Sequence, residues 1–353
     1  MPFTVKDFPG GYRPDWTALV TPFDPQGGID WKGLEKNLDF QLSYGMNPLS
    51  AGTTGESPAL EYSEHNILNA WVHAHCRGRS FPMAGTGANS TKEALELTMR
   101  ATTCGIPAVL LVDCYYNGPS SMELREHYYR VIAKKFPDTA VVPYVIPGRT
   151  GTALGVEDLF LLHHECPNVV GVKEATADLA RMAATRRQLG DSFFILSGDD
   201  DKTYKMMWTH DIRANGVISV ASNVAPGAVA EMTKAVSDGR LDRANELNDA
   251  LAPLFGVVTV NTTEDDYHGF SGVKQKYRNP LPCKTMMNGL GMPAGFCRPP
   301  LGRMSRNGVE AVRNAVNTVW VRNPEILKPI EDFYGINVGE RIKEDRFWAL
   351  WQD

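Results

Sequence analysis

Short apolar segments alternate with longer stretches of helical periodicity along most of the chain. Eight segments rich in Val, Ile, Leu and Ala begin at Trp16, Pro48, Phe81, Ala108, Ala140, Val169, Phe193 and Gly216. Successive starts lie 23 to 33 residues apart, which is enough for one strand, one helix and their loops. Apolar strands that alternate with helices predict a parallel sheet covered by helices.

The predicted fold class is α/β, and the predicted architecture is a (β/α)8 TIM barrel with a C-terminal helical appendage. Eight units favour a closed barrel over an open doubly wound sheet, because no segment offers a good dinucleotide-binding fingerprint. We expect the barrel at residues 14–240, a helical region at 241–320 and a C-terminal extension at 321–353.

Helix starts and loops follow from local signals. Ser63, Ser90 and either Ser120 or Ser121 precede predicted helices that carry acidic residues in their first turns. After the eighth strand, the pattern predicts one helix over residues 226–255.

A polar loop is predicted at NTTEDDYHGFSG, residues 261–272. In the extension, Phe347, Trp348 and Trp351 predict a helix that docks on its own or on a neighbouring subunit.

Composition narrows the class of partner. The 353 residues are 43% hydrophobic and 22% charged, which is usual for a folded globular protein. The 36 Lys and Arg against 41 Asp and Glu give a net charge of -5, so a broad cationic face for nucleic acid is not expected. No run approaches the roughly 20 apolar residues of a membrane span, and the first residues do not resemble a signal peptide. We therefore expect a cytoplasmic protein with small-molecule partners.

The sixth apolar segment ends in a lysine. Two-residue alternation places Lys173 opposite Val172, so it points into the barrel mouth if the valine packs on the outer helices. Active sites of such barrels form where the strands end. A lysine desolvated there is a nucleophile that condenses with a keto group to form an imine. The alternative is a structural ion pair with Glu174 or another acid.

The fifth segment ends one strand earlier, at a similar height. The phenol of Tyr144 is placed to carry a proton to an imine on Lys173. The Pro147-Gly148 turn fixes where Arg149 projects, and its guanidinium suits a substrate carboxylate. Taken singly, a buried tyrosine and an arginine in a surface pair remain structural alternatives.

Two further strand ends carry polar residues. The hydroxyls of Thr53 and Thr54 suit a carboxylate or a proton relay, although a simple helix-capping turn explains them equally well. The run Asp199, Asp200 and Asp201 is expected to cap the following helix rather than to hold a cation.

Seven motifs follow one another through the barrel region. They are GTTGES at 52–57, GTGANST at 85–91, YYNGPS at 115–120, YVIPGRTG at 144–151, GVKEAT at 171–176, SGDD at 197–200 and GVISVASN at 216–223. In this order they resemble the class I pyruvate-dependent aldolase superfamily, and within it the dihydrodipicolinate synthase family. The resemblance covers roughly residues 14–318.

The resemblance implies a Schiff-base-forming lyase that condenses pyruvate with L-aspartate 4-semialdehyde to 4-hydroxy-tetrahydrodipicolinate, in lysine and diaminopimelate biosynthesis. It implies no cofactor, because the lysine imine is itself the electron sink. No metal is expected either, since the six cysteines lack paired zinc-ligand spacing. A homo-oligomer, dimer or tetramer, is implied because one tyrosine crosses between subunits.

The resemblance also implies catalytic roles. Lys173 forms the Schiff base with pyruvate, and Tyr144 is the general acid and base at that centre. Thr54 passes protons between Tyr144 and Tyr116, the latter reaching in from a neighbouring subunit.

Substrate-binding roles are implied for a second group of residues. Thr53 and Thr54 lie close to the pyruvate carboxylate, and Arg149 holds the carboxylate of the aldehyde. Gly198 and Ile218 line the pocket. A feedback site for L-lysine maps onto Ser57, His65, Asn89, Glu93 and Tyr115.

Two departures from the family pattern leave the second substrate open. Val145 stands where an asparagine is usual, and the residues after Trp320 exceed the usual family end. The alternative is a pyruvate-dependent aldolase or hydratase-aldolase of the same superfamily that acts on another aldehyde or 2-oxo acid adduct. A barrel that serves only as a binding module and a metal-dependent aldolase are further alternatives, which the intact motif residues and the lack of a His cluster disfavour.

Overall fold

The computed structural model describes residues 13–352. Eight parallel strands close into a barrel in which β1 pairs with both β2 and β8, so the predicted (β/α)8 fold class is confirmed. The strands are β1 Asp15–Ala18, β2 Asn47–Ser50, β3 Met83–Gly85, β4 Ala108–Val112, β5 Ala140–Val145, β6 Gly171–Glu174, β7 Phe194–Ser197 and β8 Gly216–Ser219.

Within that range, fifteen α-helices surround and extend the barrel. They are α1 Trp31–Ser43, α2 Tyr62–Cys76, α3 Thr91–Thr103, α4 Ser121–Leu124, α5 Arg130–Lys135, α6 Pro147–Thr150, α7 Val156–Glu165, α8 Leu179–Leu189, α9 Thr203–Trp208, α10 Pro226–Ser237, α11 Leu241–Gly256, α12 Leu281–Leu290, α13 Arg306–Arg322, α14 Lys328–Tyr334 and α15 Val338–Lys343. A π-helical stretch, Arg125–Tyr129, joins α4 to α5. None of these helices is both long and apolar enough to cross a membrane.

The strands are apolar throughout because both of their faces are buried. Along β4, Val109 and Leu111 pack in a cluster with the helices outside the barrel, whereas Leu110 packs in a second cluster. That second cluster fills the barrel and continues under the C-terminal helices. Polar side chains on the inner face therefore gather at the strand ends.

Two of the three predicted helix starts are confirmed. The Ser90 hydroxyl accepts a hydrogen bond from the Glu93 N–H, and Ser120 forms a reciprocal capping box with Glu123. The prediction for Ser63 is wrong. Helix α2 begins at Tyr62, two residues earlier than predicted, because the side chain of Glu61 caps it in a reciprocal pair with Glu64.

The region after β8 differs from the prediction in two places. The single helix expected over residues 226–255 is two helices, α10 and α11, separated at Gly239, whose φ of +75° ends the first. The predicted polar loop belongs to an antiparallel hairpin of β9 (Thr259–Glu264) and β10 (Val273–Arg278). Its polar residues hide the two-residue alternation in which Val260 and Glu264 are buried.

The extension docks on its own chain. The fully buried indole of Trp348 packs against Gly289 of α12, where a Cβ would lie 2.5 Å from the ring. The Tyr334 hydroxyl donates a hydrogen bond to Asn37 Oδ1 at 2.9 Å. The predicted docking through aromatic residues therefore involves helices α1 and α12 of the same subunit.

Candidate active site

Lys173 lies at the end of β6 with its side chain inside the barrel. Its neighbour Val172 packs with the outer helices, as two-residue alternation predicts. The lysine is 4% exposed, and burial lowers the pKa of its amine to about 8. The carboxylates of Asp199 and Asp200 oppose that shift only in part. Because desolvation prevails, the amine is partly neutral at physiological pH.

A glycine leaves room for the lysine side chain. A Cβ at Gly198 would lie 3.0 Å from Cε of Lys173 and 2.9 Å from the Cβ of Ala175. Gly198 follows β7, and its N–H donates to the carbonyl of Glu174 at 2.7 Å. Ile218, on the next strand, is fully buried and is the register partner of Trp16 on β1. Of the two residues expected in the pocket wall, Gly198 lies against the Lys173 side chain, and neither Gly198 nor Ile218 lines the cavity at the barrel mouth.

Tyr144 pairs in register with Lys173 across β5 and β6. The Nζ of Lys173 lies 4.2 Å from the centroid of the Tyr144 ring. Burial raises the pKa of Tyr144 to about 12, so the phenol is protonated at neutral pH. The tyrosine therefore presents a proton donor directly beside the amine.

Tyr144 also forms part of the wall of a cavity of about 260 Å³ at the barrel mouth. Thr53 and Arg149 line the same cavity, which is large enough for a small acid. Tyr144 thus links the predicted groups: it borders the cavity together with Thr53 and Arg149, and its ring lies against Lys173, which does not itself line the cavity.

The two threonines of the GTTG turn have different partners. The side chain of Thr53 hydrogen-bonds to Tyr144 and lowers its pKa against the effect of burial. The Thr54 hydroxyl is buried and accepts a hydrogen bond from Nδ2 of Asn279 at 2.9 Å. Of the two threonines, Thr53 is therefore the one that interacts with Tyr144, whereas the relay was expected at Thr54.

Arg149 is held by a backbone carbonyl. It lies in the four-residue helix α6, and its Nη2 donates to the carbonyl of Asn279 at 2.7 Å. The guanidinium keeps further N–H groups for a carboxylate in the cavity. No sequence signal identified Asn279, since it lies 225 residues from Thr54.

Tyr116 stands apart from this group. It is 92% exposed, and its φ of +77° lies in the left-handed region that a bulky side chain rarely adopts. The tyrosine projects from the loop after β4 and does not line the cavity of its own chain.

Four of the five residues of the predicted lysine site line the same cavity as Tyr144, Thr53 and Arg149. They are Ser57, His65, Glu93 and Tyr115. Asn89 lines a separate hollow with Cys114 and His127. Burial lowers the pKa of His65 to about 4, so its ring is neutral and hydrogen-bonds to Asn69.

The aspartates after β7 do not act as the expected helix caps. Asp199 flanks the short 3₁₀ turn without a capping bond from its side chain. Burial raises its pKa to about 6, and it acts electrostatically on Lys173. Asp200 is buried and accepts hydrogen bonds from the N–H groups of Val220 and Ala221, which ties β7 to the end of β8.

Possible metal ligands lie elsewhere. Glu35, Asp39 and His75 place ligand atoms within 4.8 Å of one another on helices α1 and α2. Asp39 already accepts hydrogen bonds from His75 and from Arg79. Such a surface ion-pair cluster has a structural explanation.

A buried lysine of lowered pKa beside a phenol, at the mouth of a (β/α)8 barrel, defines a class I, Schiff-base-forming lyase. The profile of the dihydrodipicolinate synthetase family matches residues 15–319. The 4-hydroxy-tetrahydrodipicolinate synthase of Aquifex aeolicus is 37% identical over 300 residues, 85% of this chain and 95% of that protein. The chain belongs to the dihydrodipicolinate synthetase family.

Two solved structures support the same assignment. The synthase of Acinetobacter baumannii, complexed with pyruvate, has a TM-score of 0.77 at 34% identity and covers 86% of this chain and 98% of its own. The synthase of Cyanidioschyzon merolae with lysine bound has a TM-score of 0.78 at 32% identity and covers 87% and 98%.

The lowered pKa of Lys173 predicts a pH profile. Only the neutral amine attacks a ketone, and with a pKa of about 8 roughly a tenth of it is neutral at pH 7. We expect kcat/KM for pyruvate to rise about tenfold per pH unit below 8 and to level off above it. Steady-state rates measured between pH 6.5 and 9.5 test this. A profile that still climbs steeply at pH 9.5 contradicts the lowered pKa.

Proposed function

We propose that this lyase condenses pyruvate with L-aspartate 4-semialdehyde and yields 4-hydroxy-tetrahydrodipicolinate. One observation carries the proposal: the Lys173 amine is desolvated, has a pKa of about 8 and lies 4.2 Å from the Tyr144 ring centroid. The named activity of relatives at 36 to 37% identity supports the choice of substrates.

The chemistry proceeds through an imine on Lys173. The amine attacks C2 of pyruvate, water leaves, and the iminium draws electrons from C3, so that C3 loses a proton and becomes a nucleophilic enamine carbon. That carbon attacks the aldehyde carbon. The amino group of the resulting adduct then attacks the imine carbon, closes the ring and releases Lys173.

Proton transfer falls to Tyr144 and its hydroxyl partner. A protonated phenol beside the amine is placed to donate to the oxygen that leaves as water. We assign the relay to Thr53 rather than Thr54, because Thr53 is the threonine hydrogen-bonded to Tyr144. Thr54, held by Asn279, is left to support the pyruvate carboxylate.

The assembly proposed is a homo-oligomer, at least a dimer and in full form a tetramer built from two dimers. The exposed Tyr116, held in a left-handed conformation, projects away from its own cavity and is available to a second copy. It would complete the relay that starts at Tyr144 and Thr53. One solved relative is described as a monomeric variant of dihydrodipicolinate synthase.

The proposed function is tested by turnover with a panel of aldehydes. Purified protein, pyruvate and L-aspartate 4-semialdehyde are expected to give the cyclic product, detected by mass spectrometry. Aldehyde acids of other lengths and aromatic aldehydes complete the panel. Preference for an aromatic aldehyde would assign the chain to the alternative hydratase-aldolase activity.

Replacement of Arg149 separates the two substrates. We expect Arg149→Ala to raise KM for the aldehyde acid by about 10- to 100-fold, because a charge-assisted contact to the carboxylate is lost. The KM for pyruvate is expected to stay within about threefold. Steady-state kinetics with each substrate varied in turn provide the measurement. A change confined to pyruvate would show that Arg149 serves the other acid.

L-Lysine is proposed as a ligand of the same cavity. The carboxylate of Glu93 suits an ammonium group, and Ser57 and Tyr115 offer hydroxyls. We expect millimolar L-lysine to lower the initial rate at saturating pyruvate. Glu93→Gln is expected to weaken that inhibition by about tenfold with little change in kcat. An initial rate unaffected by L-lysine would remove this proposal.

A further inference from the structure

The hairpin ends where the active site begins. Strand β10 stops at Arg278, Asn279 follows it, and helix α12 begins two residues later at Leu281. The Asn279 N–H donates to the carbonyl of Val258 at 2.9 Å, which holds the end of the hairpin in place. The side chains of both Arg278 and Asn279 reach across to loops at the barrel mouth.

On one side, Asn279 fixes the threonine turn. Its Nδ2 donates to the Thr54 hydroxyl at 2.9 Å, and both side chains are buried. A hydrogen bond between buried groups holds a single geometry, because breaking it would leave a polar atom without water. The orientation of the Thr54 hydroxyl is therefore set from the C-terminal region of the chain.

On the other side, Arg149 and Arg278 each donate a hydrogen bond to a backbone carbonyl next to the other arginine. Nη2 of Arg149 donates to the carbonyl of Asn279 at 2.7 Å, and Nη1 of Arg278 donates to the carbonyl of Gly148 at 2.8 Å. The two hydrogen bonds run in opposite directions between the same pair of segments. Together they fix the turn that carries Arg149.

The turn is anchored at one end and open at the other. Thr150 is buried and its hydroxyl donates to the carbonyl of Thr152 at 2.7 Å, whereas no atom would lie within 4 Å of a Cβ placed at Gly148. On the Gly148 side, the hydrogen bonds with Asn279 and Arg278 therefore hold the segment rather than side-chain packing.

We propose that Arg278 and Asn279 are positioning residues, each of which orients one substrate-binding group. Arg278 orients Arg149, which binds the aldehyde, and Asn279 orients Thr54, which binds pyruvate. The inference deepens the proposed function and rests on it. Neither residue needs to touch a substrate, because each acts through the group to which it is hydrogen-bonded.

The test compares KM for each substrate in single variants. Arg278→Ala is expected to raise KM for the aldehyde acid by about 3- to 10-fold, the effect of one lost hydrogen bond, with pyruvate KM within about twofold. Lys276→Ala is the matched control, since this exposed lysine lies two positions earlier on β10 and its loss removes the same charge. We expect it to leave both constants unchanged.

Asn279→Ala keeps the carbonyl that binds Arg149, so it is expected to raise pyruvate KM by about 3- to 10-fold instead.

Double variants show whether each residue acts through its partner. In an Arg149→Ala background, Arg278→Ala is expected to add less than about twofold to the aldehyde KM. In a Thr54→Val background, Asn279→Ala is likewise expected to add little to the pyruvate KM. Thermal unfolding of every variant shows that the fold is retained.

The outcomes are separable from those of the proposed function. If the wild type is active but Arg278→Ala and Lys276→Ala behave alike, or if the effects add fully in the double variants, the positioning roles are wrong. If the wild type forms an imine with pyruvate but does not use the aldehyde acid, the proposed function is wrong. The effect of Asn279→Ala is then measured on the rate of imine formation with pyruvate alone. If the variant forms the imine as fast as the wild type, the inference is overturned.

Discussion

Turnover of Lys173→Met is expected to fall by at least about 10³-fold, because the reaction is proposed to proceed through an imine on this amine. The change removes the amine and keeps a long apolar side chain at a position that is 4% exposed. The methionine occupies the space left by Gly198 without filling the cavity beyond Tyr144. The measurement is the rate of product formation at saturating pyruvate and aldehyde.

The same variant is expected to be at least as stable as the wild type. Burial lowers the pKa of Lys173 from 10.5 to about 8. Below pH 8 the folded state thus carries a penalty on the order of 3 kcal/mol for the charged amine. Methionine removes that penalty, so the unfolding midpoint at pH 7 should not decrease. A stable variant that keeps more than a few per cent of turnover would contradict the role of Lys173.

Lys284→Met is expected to have the opposite effect. This second buried lysine lies in α12, is 1% exposed, and forms an ion pair with Glu56 at 2.6 Å. Removing one partner leaves the other charge buried, which typically costs about 3 to 5 kcal/mol. We expect the free energy of unfolding to fall by that amount, as measured by urea denaturation.

Lys202→Met provides the matched control. Its ion pair with Asp201 has the same N–O distance of 2.6 Å, but the two side chains are 38% and 54% exposed. Such a pair contributes about 1 kcal/mol or less. Equal effects of the two substitutions would show that the Lys284 pair adds no more to stability than a surface contact.

The sequence was informative where a residue's neighbours along the chain decide its position. Alternation along β6 predicts that Lys173 lies on the inner face, and the spacing of the apolar segments predicts that Tyr144 lies beside it. Both follow from the regular geometry of strands in a closed barrel. The caps at Ser90 and Ser120 are local in the same sense.

Contacts between distant segments were not predictable in this way. Glu56 and Lys284 are 228 residues apart, and Thr54 and Asn279 are 225 apart, so no periodicity links them. The hairpin was missed because its strands carry polar residues on the exposed face. Which of Thr53 and Thr54 serves the proton relay also depends on contacts between distant segments, since the two residues are adjacent and chemically identical.

The central claim is that Lys173 forms an imine with pyruvate. Incubation with pyruvate and sodium borohydride reduces an imine to a stable amine, and peptide mass mapping then locates the modified residue. We predict one adduct, at Lys173, which is absent in Lys173→Met and does not form without pyruvate. An adduct at Lys284 or another lysine, or none at all under turnover conditions, would contradict the mechanism.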